Sequence, residues 1–301
     1  MLSIARLAMK SPLAAAFSAT IYALLALAFA PFLLVAGGIV CLAGLRHGTG
    51  ASLKLALSAG LISGGLVFLL TKGTGIVTVL LFALVPLVAL AALLRRSESQ
   101  GLSLSVAALL PLVFAFVVRM NVGDVNEFWL QRLTDFRAAV EAEGGEFLAL
   151  TKLDMVAGMM HASTIALVMI FFAGALLLGR WWQAALYNPG GFGSEFRTLV
   201  LPKPVIGLAA VVSVLGLINL NSGGSLGLTG DALLVVMMLF AIQGLAIVHH
   251  RAKTRGLPSA FFVFLYIFLV ILPHIVGTVL TFVGIMDNLA DFRKLRGARH
   301  R

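Results

Sequence analysis

The sequence is short of charge. Of its 301 residues only 11% are Asp, Glu, Lys or Arg, against about 25% in an ordinary soluble domain. A soluble core of this length has no way to hide the 60% that are apolar, so lipid must act as solvent for much of the surface. Cysteine is nearly absent. Cys41 stands alone, which excludes an internal disulfide and a cysteine-rich metal site and leaves a small packing residue in an apolar stretch. Alternating apolar and polar runs are also missing, which excludes a transmembrane barrel. No Gly-x-Ser-x-Gly elbow, His-Glu-x-x-His zinc motif, Asp-rich prenyl-phosphate motif or deep pair of carboxylates is expected, and Gly223-Gly224-Ser225 is taken as a flexible external turn. The expectation is therefore a non-enzymatic protein without cofactor or metal.

What is present is a series of apolar runs of helical length, giving an all-α, polytopic transmembrane bundle of about 8–10 membrane segments. The runs cover roughly 12–29, 31–45, 52–70, 76–94, 102–118, 155–179, 205–220, 232–248 and 257–286. The second is short and needs a thinned or protein-lined surrounding. The first reads as a retained helix rather than a cleaved signal. Residues 1–301 read as one integral membrane domain, with a polar insertion at 121–154, a loop at 180–204 and a basic tail at 287–301.

The formal net charge of +10 points to cytoplasmic loops and anionic headgroups rather than nucleic acid, because the basic residues are dispersed at the ends of the runs. With Arg6 and Lys10 in the cytoplasm, Arg46, Arg95, Arg96, Arg180, Arg197, Lys203, Arg251, Lys253 and Arg255 fall there too. The chain is then a multi-pass protein of the bacterial inner membrane with a cytoplasmic N-terminus. The 121–154 insertion falls outside. It holds Asp124, Glu127, Asp135, Glu141, Glu143, Glu146 and Asp154, seven of the twelve acidic residues. Within it Trp129, Leu133, Phe136 and Val140 share one helical face, so an amphipathic helix lies on the outer surface, either as a lid or packed flat on its neighbours. The last apolar run is divided by Pro273. It forms either two short helices that return the tail to the cytoplasm or one long kinked helix.

Two stretches carry a resemblance. One runs from Gly179 through Arg180-Trp181-Trp182, Asn188-Pro189-Gly190-Gly191 and Glu195-Phe196-Arg197 to Lys203. The other holds Gly244-Leu245-Ala246, Arg255-Gly256-Leu257-Pro258, Gly284-Ile285-Met286-Asp287-Asn288 and Asp291-Phe292-Arg293. Together they resemble the YybS-type predicted membrane proteins, a bacterial family of unknown function. Through that family the first six helices are similar to the S components of energy-coupling-factor transporters, where the resemblance matches Gly44-Leu45-Arg46-His47-Gly48 to the turn after their short second helix. It implies a substrate-binding subunit that docks on a membrane coupling subunit.

Ionisable groups at membrane depth are costly and usually face a cavity or the bundle interior. Arg119, Asp154, His161 and Asn219 share a depth near the outer side and are candidate ligands for an unidentified small molecule. Each also has a plain structural reading: His161 as an interhelical hydrogen-bonding group, Asp154 and Asp231 as helix-start residues. His274 follows Pro273 and Gln243 lies in the eighth run. Candidate docking residues are Ala15, Ala19 and Ala23, four apart on one face, and Arg180, Trp181 and Trp182, read as an interfacial anchor. The alanine face equally suits packing within the chain. The Asn188–Gly191 turn lacks the Gly-Lys-Ser/Thr ending of a nucleotide loop. Transport of a metabolite is the leading functional reading. A membrane assembly or scaffold protein is the alternative, with the lipid bilayer as partner in both.

Overall fold

A computed structural model describes residues 1–73, 75–145 and 153–293. Among them every regular element is an α-helix. The chain opens with α1 (Leu2–Ala8) and α2 (Pro12–Leu25), then α3 (Pro31–His47), α4 (Thr49–Thr71) and α5 (Gly75–Ser97). A bend at Ala108 separates α6 (Gln100–Ala107) from α7 (Leu109–Val122). The polar insertion supplies α8 (Val125–Ala142), followed by the long α9 (Leu153–Tyr187), the short α10 (Gly191–Arg197) and α11 (Lys203–Asn221). Last come α12 (Gly227–Thr254), α13 (Ser259–Ile271) and α14 (Pro273–Ala290). Residues 146–152 of the insertion and 294–301 of the expected tail lie outside the described residues.

Local chemistry sets the boundaries. Ser11 Oγ accepts from the Ala14 N–H at 3.1 Å, and Pro12, which has no N–H to leave unpaired, occupies the first turn of α2. The Asp124 carboxylate accepts from the Asn126 and Glu127 N–H groups at 2.8 and 3.0 Å and starts α8. Gly48, at φ +94°, turns the chain from α3 into α4.

Seven helical segments are long and apolar enough to cross a bilayer: α4, α5, α6 with α7, α9, α11, α12 and α14. The shorter apolar helices α2, α3 and α13 accompany them. Much of the outer surface is apolar. On α11, Leu208, Val211, Leu215 and Ile218 form an exposed stripe at helical spacing, as expected for a face in contact with lipid. The short α3 is different: every residue from Val35 to Leu45 is buried. Protein, not lipid, surrounds it, so its 17 residues need not match the bilayer thickness.

Two apolar cores share one helix. The first joins α1 to α5 with Phe172, Ala175, Leu176 and Trp182 of α9. The second joins α6, α7, the segment after α10 and α12 with Ile165, Met169 and Ala173 of the same helix. At 35 residues and 1.5 Å per residue, α9 is about 52 Å long, more than the hydrocarbon core of a bilayer. It approaches α3 closely, since a methyl on Gly179 would stand 2.5 Å from Cys41 Cβ.

This length corrects the loop expected from residue 180. The helix continues through Arg180, Trp181 and Trp182 to Tyr187. Trp182 is fully buried beside Gly38, and Trp181 packs partly buried on the first core, so Trp182 is no interfacial anchor. The alanine face is taken up inside the chain as well. Ala15, Ala19 and Ala23 are buried in the first core, where α2 lies against α3 and α4. They are not free to dock a partner.

At the C-terminal end, α14 lies parallel to α12 in backbone contact. Thr281 Oγ1 donates to the Met237 carbonyl at 2.8 Å, and a methyl on Gly244 or Gly284 would overlap the carbonyl of Leu280 or Phe240. α13 runs the other way. Phe262 stacks on His249 at 4.5 Å between ring centroids, and the Tyr266 hydroxyl is 3.2 Å from His249 Nε2. The chain therefore reverses at Pro273, and Arg293 returns to the end that carries Arg197 and Arg251. His274 is exposed at the start of α14.

Candidate functional site: a buried ion cluster on three helices

Asp231 of α12 is the centre of a polar cluster inside the helical bundle. Arg119 of α7 meets its carboxylate with two parallel bonds, Nε to Oδ2 at 2.6 Å and Nη2 to Oδ1 at 3.0 Å. From α9, His161 Nε2 lies 3.3 Å from the same Oδ2. Asp231 and His161 are each 6% exposed, while the Arg119 side chain keeps 30% of its surface. The paired, planar fork of arginine suits a carboxylate that has lost water.

The cluster is incomplete. The Asp231 carboxylate only accepts, so the imidazole nitrogen facing it carries the hydrogen. His161 Nδ1 is buried and has no hydrogen-bond partner among the described residues. A neutral ring leaves it a bare acceptor; a protonated ring leaves it a bare donor. Either state costs free energy until a further polar group arrives.

The other expected ligands do not converge here. Asp154 is exposed in the first turn of α9, seven residues before His161. There it plays the helix-start role, favoured by the helix dipole. Asn219 donates from Nδ2 to Thr229 Oγ1 at 3.3 Å and ties α11 to the start of α12. Asp231 was expected at a helix start, yet α12 begins at Gly227. A residue one turn inside the helix has no free N–H group to cap. That offset is the signal that its carboxylate is committed elsewhere. The insertion helix α8 packs along α9, with Trp129 Nε1 buried and unpartnered. Gly223-Gly224-Ser225-Leu226-Gly227 has the spacing of a hydrolase elbow, but it joins two helices and Ser225 is exposed. No strand leads into it, as an elbow requires.

Two further polar groupings lie at the opposite end. Arg180 pairs with both Glu195 oxygens, Nε to Oε2 at 2.9 Å, and donates to Gln183 Oε1 at 3.1 Å. Arg293, expected in a basic tail, is buried against Asp287, with Nη2 to Oδ2 at 2.7 Å. Its Nη1 and Nη2 also donate to the Arg197 and Leu199 carbonyls at 2.7 and 2.8 Å. Gln243 bridges the Leu201 N–H and Asp287 at 3.0 and 2.9 Å, and Asn288 donates to the Leu201 carbonyl at 3.0 Å. Each nitrogen of the Arg293 guanidinium and each oxygen of Asp287 has a partner, so this network fixes the segment before α11 and calls for no ligand. Among the described residues no three His, Cys, Asp or Glu side chains gather as for a metal ion.

No curated protein and no solved structure matches the chain. A family model does: that of the predicted membrane proteins designated DUF2232 matches residues 13–288. With nearly the whole sequence covered, the chain belongs to this family of predicted membrane proteins.

Proposed function

We propose that the protein is a membrane transport component, a substrate-binding subunit or small carrier for a polar metabolite, in the bacterial inner membrane. The observation that carries this reading is the Arg119–Asp231–His161 cluster with its unpartnered imidazole nitrogen. Ionisable groups inside a bundle often mark a substrate or ion path, and this cluster, unlike the Asp287–Arg293 network, leaves a buried nitrogen without a partner among the described residues. The metabolite presents an anionic or amide group near Arg119 and a hydrogen-bonding group to His161 Nδ1. The cytoplasmic side is the end where Arg46, Arg95, Arg180, Arg197 and Arg251 gather, in line with the positive-inside rule, so the cluster belongs to the outer side. The resemblance of the first six helices to S components supports the same reading; the YybS-type resemblance, to a family of unknown function, adds no activity. With no ATPase motif in the sequence, ATP-driven movement requires a coupling subunit. The reading assigns no catalytic step. A scaffold role drew on the Trp-rich segment and the basic tail, and the burial of Trp182 weakens the first of these; the burial of Ala15, Ala19 and Ala23 withdraws the docking face from the transport reading, which rests on the ion cluster instead.

The test compares untargeted metabolite profiles of cells and medium for the deletion strain complemented with three chains: wild type, His161→Ala, and the apolar triple Arg119→Met/Asp231→Leu/His161→Leu. Membrane levels are matched by immunoblot. At least one polar metabolite should redistribute across the membrane with wild type only. A triple variant that restores every profile change made by wild type overturns the reading.

A further inference from the structure

At the opposite end of α9 from His161 lies a cavity of about 530 Å³, within the size range of small-molecule sites. The 19 residues between His161 and Arg180 put the two sites about 28 Å apart along the helix. Leu45 and Leu94, at the ends of α3 and α5, form the apolar part of its wall. The remainder is polar: Arg95, Glu98, Arg180, Gln183 and Glu195.

The charges sort into two kinds. Arg180 and Glu195 neutralise each other, and Gln183 and Gln100 hold the pair, with Gln183 Oε1 accepting from Arg180 and Gln100 Nε2 donating to Glu195 at 3.3 Å. Arg95 and Glu98 have no ion-pair partner among the described residues, yet both face the cavity. Both side chains are exposed, and the local backbone leaves them room on the cavity side. Gly48 lets the Arg95 guanidinium lie over the corner between α3 and α4, because a methyl there would stand 2.7 Å from Nη1. Glu98 sits just past the end of α5 at φ +51°, with its N–H bonded to the Leu94 carbonyl at 2.9 Å. That left-handed turn directs it out of the helix that carries Arg95.

We infer that this cavity binds a small zwitterion, its anionic group on Arg95 and its ammonium on Glu98. Two arginines and two glutamates leave the lining without net charge, so a plain anion gains nothing from Arg95 that Glu98 does not oppose. A molecule with both charges matches both free groups. The chemistry is that of an ethanolamine phosphate, supplied either by a phospholipid headgroup entering past Leu45 and Leu94 or by a free solute from the aqueous side. The proposal is independent of the Arg119–Asp231–His161 reading, and no residue is shared.

The experiment titrates the full-length protein in detergent with O-phosphoethanolamine, inorganic phosphate and ethanolamine by calorimetry. The zwitterion should bind at least tenfold more tightly than either half. Arg95→Gln and Glu98→Gln should each weaken it at least fivefold, Arg96→Gln should not change it, and the double reversal Arg95→Glu/Glu98→Arg should recover it. In nanodiscs, loss of O-phosphoethanolamine binding when phosphatidylethanolamine replaces phosphatidylglycerol identifies the headgroup as the source. Unchanged binding identifies a free solute. Phosphate binding as tightly as the zwitterion, indifference to Glu98→Gln, or no binding of the zwitterion to wild type overturns the inference.

Discussion

Replacing Asp231 with Asn keeps the shape of the side chain and removes its charge. Arg119 then retains a full charge facing one neutral amide oxygen in place of the two carboxylate bonds. Removing one partner of a buried pair costs about 3–5 kcal/mol. The Arg119 side chain is 30% exposed, and its length lets the guanidinium turn toward water, so roughly 2 kcal/mol is the expected loss. That is a change of about 30-fold in the unfolding equilibrium. The double change Arg119→Met/Asp231→Leu leaves no unpaired charge and should fall within about 1 kcal/mol of wild type, because apolar isosteres replace buried pairs at little cost. Reversible unfolding in mixed micelles, read by tryptophan fluorescence for wild type, Arg119→Met, Asp231→Leu and the double, closes the cycle, with Asp231→Asn measured beside it. Wild-type stability of Asp231→Asn, with a coupling below about 0.5 kcal/mol, would refute the cluster as a buried ion pair. A stable double variant that has lost metabolite redistribution would separate the functional contribution of the charges from their structural one.

The tight α12–α14 contact predicts that Gly284→Ala destabilises by about 1–3 kcal/mol or more, while Gly277→Ala on the same helix, with open space around it, is neutral or stabilising in the same unfolding assay. Trp182→Ala should cost about 3–5 kcal/mol through the cavity it leaves, and Trp181→Ala clearly less, as thermal melts in detergent would register; equal losses would contradict the burial of Trp182. Arg293→Met strands a buried Asp287 carboxylate and should cost about 3–5 kcal/mol, with faster hydrogen exchange or proteolysis in 198–202; unchanged exchange there would count against the clamp.

Apolar periodicity made most of the bundle legible before any coordinates. Trp129, Leu133, Phe136 and Val140 predicted α8, while Pro273 marked the division of the last apolar run but left open whether the chain reverses there or only kinks. The far end of α9 was not legible. Arg180-Trp181-Trp182 has the composition of a membrane boundary, but the same residues continue a helix whose neighbours bury the second tryptophan. Periodicity reports which residues share a face, not what covers that face. The alanine face shows the same limit, since small residues suit a partner helix and an internal one equally. In the candidate site, Arg119 and His161 were recognisable because charge inside an apolar run is costly. Their convergence on Asp231 was not, because the contacts span 112 and 70 residues of sequence. Asp154 and Asn219 shared a depth with them and nothing more.

The cost of burying polarity separates the three polar groupings. In the Asp287–Arg293 network the carboxylate oxygens and guanidinium nitrogens find partners within the chain, so its desolvation is compensated internally and its consequence is a fixed segment before α11. The other two are left open in different ways. His161 Nδ1 is buried with no partner, a cost that hydrogen bonding from outside the chain would relieve. Arg95 and Glu98 line one cavity without ion pairs of their own among the described residues, but both are exposed, so they carry no comparable burial cost. Both open groupings touch α9, about 28 Å apart, and that helix belongs to both apolar cores. The closed network shows how this chain compensates buried polarity when it fixes a segment, and against it the His161 imidazole stands as a buried group that still has a partner to gain, which is the feature the metabolite experiment addresses.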